Sequence, residues 1–310
     1  MNLCSARMQG RWKLPALRRL RPTRGRGPAL FLAMFAFLQM GVLHAAEAPC
    51  PTQGAASAVV SSVSERLELT LVDGRLIKLA GVDPPRPTPD DPALDTKTRD
   101  RLANWLSGHE IRFRAAEPNP DRWGRLIAFV FDMEPDQITP GPARMSVGEA
   151  LLDAGLARYE PGAAARPCRS ALLAAENGAR AAGLGLWADP YYAVLAASDR
   201  QSFAEKAGTS VIVEGKVASV ENRGSRAILT FGPRHGWDEF SVKILSRNIK
   251  AFDGAGKGLS DFIGKTLRVR GLLDTHFGPH IEISNPDEVE LIELAPDATA
   301  TRAGASTSLK

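Results

Sequence analysis

GRLIKLAGVDPP, residues 74–85, begins inside an Asp73-Gly74 pair and ends on a double proline. Asp-Gly between apolar runs is a hairpin signal, because the turn needs positive φ. Upstream, residues 59–72 read as one strand, with Leu67, Leu69 and Leu71 on one face and Glu68 and Thr70 on the other. Downstream, RLIKLAGV (Arg75–Val82) is the return strand. Pro84, Pro85, Pro87, Pro89 and Pro92 then impose a long irregular loop.

Working outward, Asp95–Ser107 reads as a helix with Leu102, Trp105 and Leu106 on one face. Strand EIRFRA (Glu110–Ala115), turn DRWGR (Asp121–Arg125) and strand LIAFVF (Leu126–Phe131) follow. Ser146 and Glu149 form a Ser-x-x-Glu capping box ahead of VGEALLDAGLA. An alanine-rich helix spans Cys168–Ala182. Residues 191–208 read as a partly helical linker. Six strands are then expected near 210–220, 225–232, 237–245, 266–274, 279–284 and 288–294, with a helix at Ser246–Phe252 between the third and fourth. That order fits an OB-type barrel at 209–295. Residues 296–310 are a polar tail.

The first 46 residues hold eight Lys/Arg and no acid, so the remainder carries 31 basic and 35 acidic residues, a net of −4. The formal +4 of the whole chain therefore resides in the leader, and any affinity for phosphate must come from a local patch. That leader, with its apolar run Ala29–Leu43 and small residues after it, is expected to be a signal peptide (1–46) or, if uncleaved, an anchor. Export makes a disulfide between Cys50 and Cys168 the expectation.

Residues 59–190 resemble the staphylococcal nuclease (thermonuclease) family. The motifs that carry the resemblance are GRLIKLAGVDPP, DRWGRLIAFVF (Asp121–Phe131), VGEALLDAGLARY (Val147–Tyr159) and GARAAGLGLWAD (Gly178–Asp189), in the family's order. The resemblance implies a five-stranded OB barrel with helices. The whole chain is then α+β: a nuclease-like barrel followed by a second, small OB-like barrel. It also implies Ca²⁺-dependent hydrolysis of DNA and RNA phosphodiesters. Such a site needs carboxylates for the metal, a base for water and cations for the phosphorane.

Mapped residue by residue, the resemblance places the second metal aspartate on Asp83 and the second arginine on Arg125. The first arginine becomes Lys78, which keeps the charge and loses the planar fork. The glutamate that activates water becomes Arg86, and the threonine beside the metal becomes Pro84. The family's Asp-Gly-Asp-Thr falls on Glu65, Arg66, Leu67 and Glu68, so Leu67 replaces the first metal aspartate. Family-type cleavage is therefore expected to be impaired, and no cofactor is expected. Lys78, Arg86 and Arg125 are expected to converge near Asp83, either as an anion or nucleic-acid site or as an ion-pair network with Asp83, Asp90 and Asp91. The alternatives are an active nuclease whose Ca²⁺ is held with help from Glu65 or Glu68, Glu68 being disfavoured by strand parity, and a structural envelope protein. In the second barrel, Arg223, Arg226, Arg234, Lys243, Arg268 and Arg270 could line a groove, with Phe231, Trp237 and Phe240 for stacking. His276 and His280 bracket a hairpin.

Overall fold

Alternation and turn chemistry build the first half as expected. The computed structural model describes residue 50 and residues 55–132, 145–232, 239–254 and 258–292, all within one compact unit. The leader, the tail, Arg234, His235 and Trp237 lie outside the described residues. The first half runs β1 (Ala56–Val63), β2 (Leu69–Leu71), β3 (Leu76–Leu79), β4 (Val82–Asp83), α1 (Leu94–Leu106), β5 (Glu110–Ala115), β6 (Arg125–Asp132), α2 (Val147–Asp153), β7 (Arg158–Tyr159) and α3 (Arg169–Ala181). The strands close into a barrel in the order β1-β2-β3-β6-β5. Every second residue faces in, so Leu69, Leu71, Ile77, Leu79, Ile111 and Phe113 are buried. The capping box forms: Ser146 Oγ accepts the Glu149 N–H at 3.1 Å and Glu149 Oε2 accepts the Ser146 N–H at 2.6 Å. Cys50 and Cys168 are both buried and joined by a disulfide, which staples the chain ahead of β1 to the start of α3.

The single strand expected over 59–72 is two strands. Ser64 Oγ accepts the N–H groups of Arg66 and Glu68, and the Leu67 N–H reaches the Ser64 carbonyl. This turn holds Leu67 at φ 58°, in the left-handed region that costs a residue with a Cβ about 1–2 kcal/mol. Leu67 is buried as expected, at 1% exposure, but as a turn residue plugging the barrel mouth. Glu68, between the buried Leu67 and Leu69, stays half-exposed as parity expects, and there it meets Arg125.

The second half comprises β8 (Leu195–Ala196), α4 (Arg200–Glu205), β9 (Ser210–Lys216), β10 (Ser219–Asn222), β11 (Arg226–Thr230), β12 (Ser241–Leu245), α5 (Ser246–Gly254), β13 (Thr266–Asp274), β14 (His280–Ile283) and β15 (Val289–Ile292). Its sheet order is β10-β11-β12-β14-β13-β9-β8, with β15 on β13. β9 and β10 are consecutive in the chain. At the corner between them the Val217 N–H bonds Lys265 O and the Ala218 N–H bonds Thr230 O, so the sheet curls back on itself. A second hydrophobic core fills it, with Phe203 stacked on Phe240 at 5.4 Å and Phe231 edge-on to Phe240 at 5.2 Å. The segment expected as a linker is ordered: β8 pairs with β9, and α4 contributes Phe203 to the core.

Ion pairs lock the two barrels together. Arg270 on β13 is buried against Glu176 of α3 (2.7 Å) and Glu290 of β15, and also donates to the Tyr159 carbonyl at 3.0 Å. Arg166 and Arg169 reach Asp287 at 2.9 and 3.4 Å. Within the second half, Arg268 pairs with Glu214 and with the same Glu290 that holds Arg270. Burial alone would raise the Glu176 carboxyl, yet the Arg270 charge and hydrogen bond, with the Tyr159 N–H, hold it below its ordinary value.

Candidate functional site

The turn before β6 fixes the first cation. Asp121 Oδ1 accepts the N–H groups of Trp123 and Arg125, each at 3.0 Å, and Gly124 supplies the positive φ the turn requires. Asp121 Oδ2 then takes Arg125 Nε and Nη2 at 2.9 and 2.7 Å, a two-pronged pair. Arg125 Nη1 bonds Glu68, which the Leu67 turn brings to the same place. The hydrogen bond to Arg125 pulls the Asp121 carboxyl below the usual range. Trp123 is exposed, with the guanidiniums of Arg122 and Arg125 at 3.9 and 4.7 Å from its ring centroid.

Lys78 lies one diagonal step from Arg125, because β3 pairs parallel to β6 with Leu76 opposite Arg125. Its Nζ is held by Glu160 at 2.7 Å. Asp83 on β4 faces Arg158 on β7, and the side chains meet at 2.7 Å. The other prong of Arg158 donates to the Ser210 carbonyl of β9 at 2.9 Å, and its guanidinium lies 5.2 Å from the Tyr192 ring centroid. Arg86 is exposed. Tyr192 Oη accepts its N–H at 2.7 Å and donates to its carbonyl at 3.2 Å, clamping the backbone on both sides. Its guanidinium has no ion-pair partner among the described residues.

Lys78, Asp83, Arg86 and Arg125 do converge. They line one cleft of about 530 Å³ together with Glu65 and Glu68. The ion-pair partners differ from those expected: Glu160, Arg158, Asp121 and Glu68 take the places foreseen for Asp90 and Asp91. Four basic residues (Arg66, Lys78, Arg86, Arg125) and four acidic ones (Glu65, Glu68, Asp83, Asp95) line the cleft, so it has no one-sided field. Among the described residues no group of three or more His, Cys, Asp or Glu side chains could hold a metal ion.

Residues 76–189 match the family model of the staphylococcal nuclease homologue. This chain contains a staphylococcal nuclease family domain. No curated protein matches the chain. The match begins at Leu76, so the turn that carries Leu67 precedes it, and the nuclease-homologue domain ends before β8.

Sequence reading missed three residues of this domain and its edge that matter most: Arg158, Glu160 and Tyr192. One signal was available for Arg158, a charged residue between the core positions Ala157 and Tyr159, which demands a buried partner. In the second barrel the expected basic groove does not form as one surface. Arg270 is consumed at the junction with the nuclease-homologue domain, Arg268 pairs with Glu214 and Glu290 within the second half, Arg223 pairs with Glu221, and Phe240 is core. His276 and His280 flank the Asp274 carboxylate at 3.0 and 3.8 Å.

Proposed function

We propose that this is an exported nuclease-fold binding module, which holds a phosphate-bearing ligand, foremost a nucleic-acid strand, in the first-barrel cleft and cleaves it poorly or not at all. Export rests on the leader pattern and on a disulfide suited to an oxidising compartment. The observation that carries the rest is the state of the two positions that the family resemblance assigns to the metal. Asp83 is neutralised by Arg158 at 2.7 Å, and the other position is a buried leucine. Calcium takes about six to eight oxygen ligands, mostly carboxylate, and this donor set does not fit it. Arg86 in place of the base cannot accept a proton from water. Each lost transition-state group costs roughly 10²–10³ in rate, without simple additivity.

The cations remain in position to bind. Arg86 and Arg66 are unpaired among the described residues, and Lys78 and Arg125 can share their carboxylates with a phosphate. Two free cations imply a shallow salt dependence, a slope of about −1.4 in log K against log salt for a single strand. The test is paired: cleavage of single-stranded DNA with and without Ca²⁺, and binding of the same strand without Ca²⁺. Binding weakened by Arg125→Ala, with no Ca²⁺-stimulated cleavage, is expected. Ca²⁺-dependent cleavage abolished by Asp83→Ala would sink the proposal and favour a site rebuilt around Glu65 or Glu68.

A further inference from the structure

A second cleft, of about 280 Å³, lies between the two barrels and is contiguous with the first. Asp83 and Arg86 line both. Beyond them the second cleft is walled by Arg158 and Glu160 on the nuclease-homologue side and by Ser210, Val211 and Glu288 on the other. Its floor is hydrogen-bonded across the seam, because Arg158 joins the Asp83 carboxylate to the Ser210 carbonyl. Arg86 stands at the seam on a backbone fixed by Tyr192, so its unpaired guanidinium is held within reach of both clefts.

We infer that the site takes an extended single-stranded phosphodiester chain, with one phosphate at Arg86 and the neighbouring nucleotide in the interbarrel cleft, where the second barrel supplies a wall. This rests on the phosphate-binding reading and adds to it the wall that the second half supplies. A cleft of this volume admits a nucleotide unit and excludes a duplex. Val211 and Ile212 offer that unit apolar contact, and Arg86 offers the two parallel hydrogen bonds that suit phosphate. Three basic residues (Arg86, Arg158, Arg270) and three acidic ones (Asp83, Glu160, Glu288) line the second cleft. Balanced charge gives a lone small anion little to bind, whereas a chain gains from contacts in both clefts at once.

The experiment compares inorganic phosphate, read as a competitor, with a longer labelled oligodeoxynucleotide by fluorescence anisotropy on the full chain. The longer strand is expected to bind more tightly. Ser210→Glu, which puts a negative charge in the second cleft alone, is expected to weaken the strand about tenfold and leave phosphate, which does not reach into that cleft, within about twofold. Glu288→Gln keeps the oxygen that accepts the Ser284 and Asn285 N–H groups and removes a charge, so it is expected to tighten the longer strand only. It also serves if Ser210→Glu disturbs folding. Equal effects on both ligands, or none on either, overturn the second wall while leaving phosphate binding intact. Failure of both ligands to bind the unsubstituted protein overturns the phosphate reading and this inference with it.

Discussion

The first barrel, β1-β2-β3-β6-β5, and the curled second sheet, β10-β11-β12-β14-β13-β9, run a similar circuit, each with a helix (α1 before β5, α5 before β13) between the strands of its two halves. Each also contains one parallel pair, β3 with β6 and β12 with β14. Register makes positions comparable: Leu76 faces Arg125 in one and Ser241 faces His280 in the other, so Lys78 corresponds to Lys243. Around Lys78 the loops deliver a cleft, with Glu68 from a left-handed turn and Glu160 and Arg158 from the segment after α2. Lys243 instead lies on the sheet near Arg226, Asp274 and Glu282, and burial with the Arg226 charge holds its pKa below the ordinary value. A shared barrel therefore fixes where a cation can stand, and the connections decide what it can do there.

The largest test is whether the barrels are separable at all. Arg270→Ala leaves Glu176 and Glu290 buried without their cation, so unfolding free energy is expected to fall by about 3–5 kcal/mol. One urea transition should become two as the barrels uncouple. A single, unshifted transition would show that the junction does not couple them. The same pair gives a pH signature. Glu176 is depressed below its ordinary 4.5, so its contribution is fully present above that value and is lost as pH falls through the lower folded pKa. In thermal unfolding, the acid-side loss of stability should be smaller in Glu176→Gln.

The staple separates the barrels next. Cys50–Cys168 closes a loop of 118 residues wholly within the first half, and its reduction is expected to cost about 2–4 kcal/mol. Hydrogen exchange should register the loss first in β1 to α3 and spare the amides of β11 to β14. Equal loss in both barrels would make them one cooperative unit. The smallest effect compares the equivalent lysines. Lys78→Ala should weaken oligonucleotide binding about tenfold, roughly 1.4 kcal/mol, and Lys243→Ala should leave it within about twofold. Equal effects would move the binding surface to the second barrel.

Much of the fold was legible because its signals are local. Alternation, Asp73-Gly74, the Ser146–Glu149 box and the strand-helix-strand order of the second half each lie within one short window. The exception on the fold is instructive. Ser64, Glu65 and Arg66 are three polar residues in a row, and they interrupt an alternation that otherwise seemed to run through Leu67. The turn closes through a serine side chain, which periodicity does not register. At the site, family motifs brought Lys78, Asp83, Arg86 and Arg125 together on paper. Their partners were illegible: Arg158 is 75 residues from Asp83, Glu160 is 82 from Lys78, and Tyr192 is 106 from Arg86.

By itself the sequence determined the closed first barrel, the cysteine pair and the four residues that share a cleft. Those follow from residue type and from contacts between neighbours in the chain. Only the tertiary structure decided that Asp83 is neutralised, that Glu68 pairs with Arg125, and that the second half is bolted to the first barrel by Arg270 and forms a cleft against it. The physical reason is that charge acts through space over a few ångströms while the chain separates the partners by tens of residues, so pairing depends on which loops packing brings together.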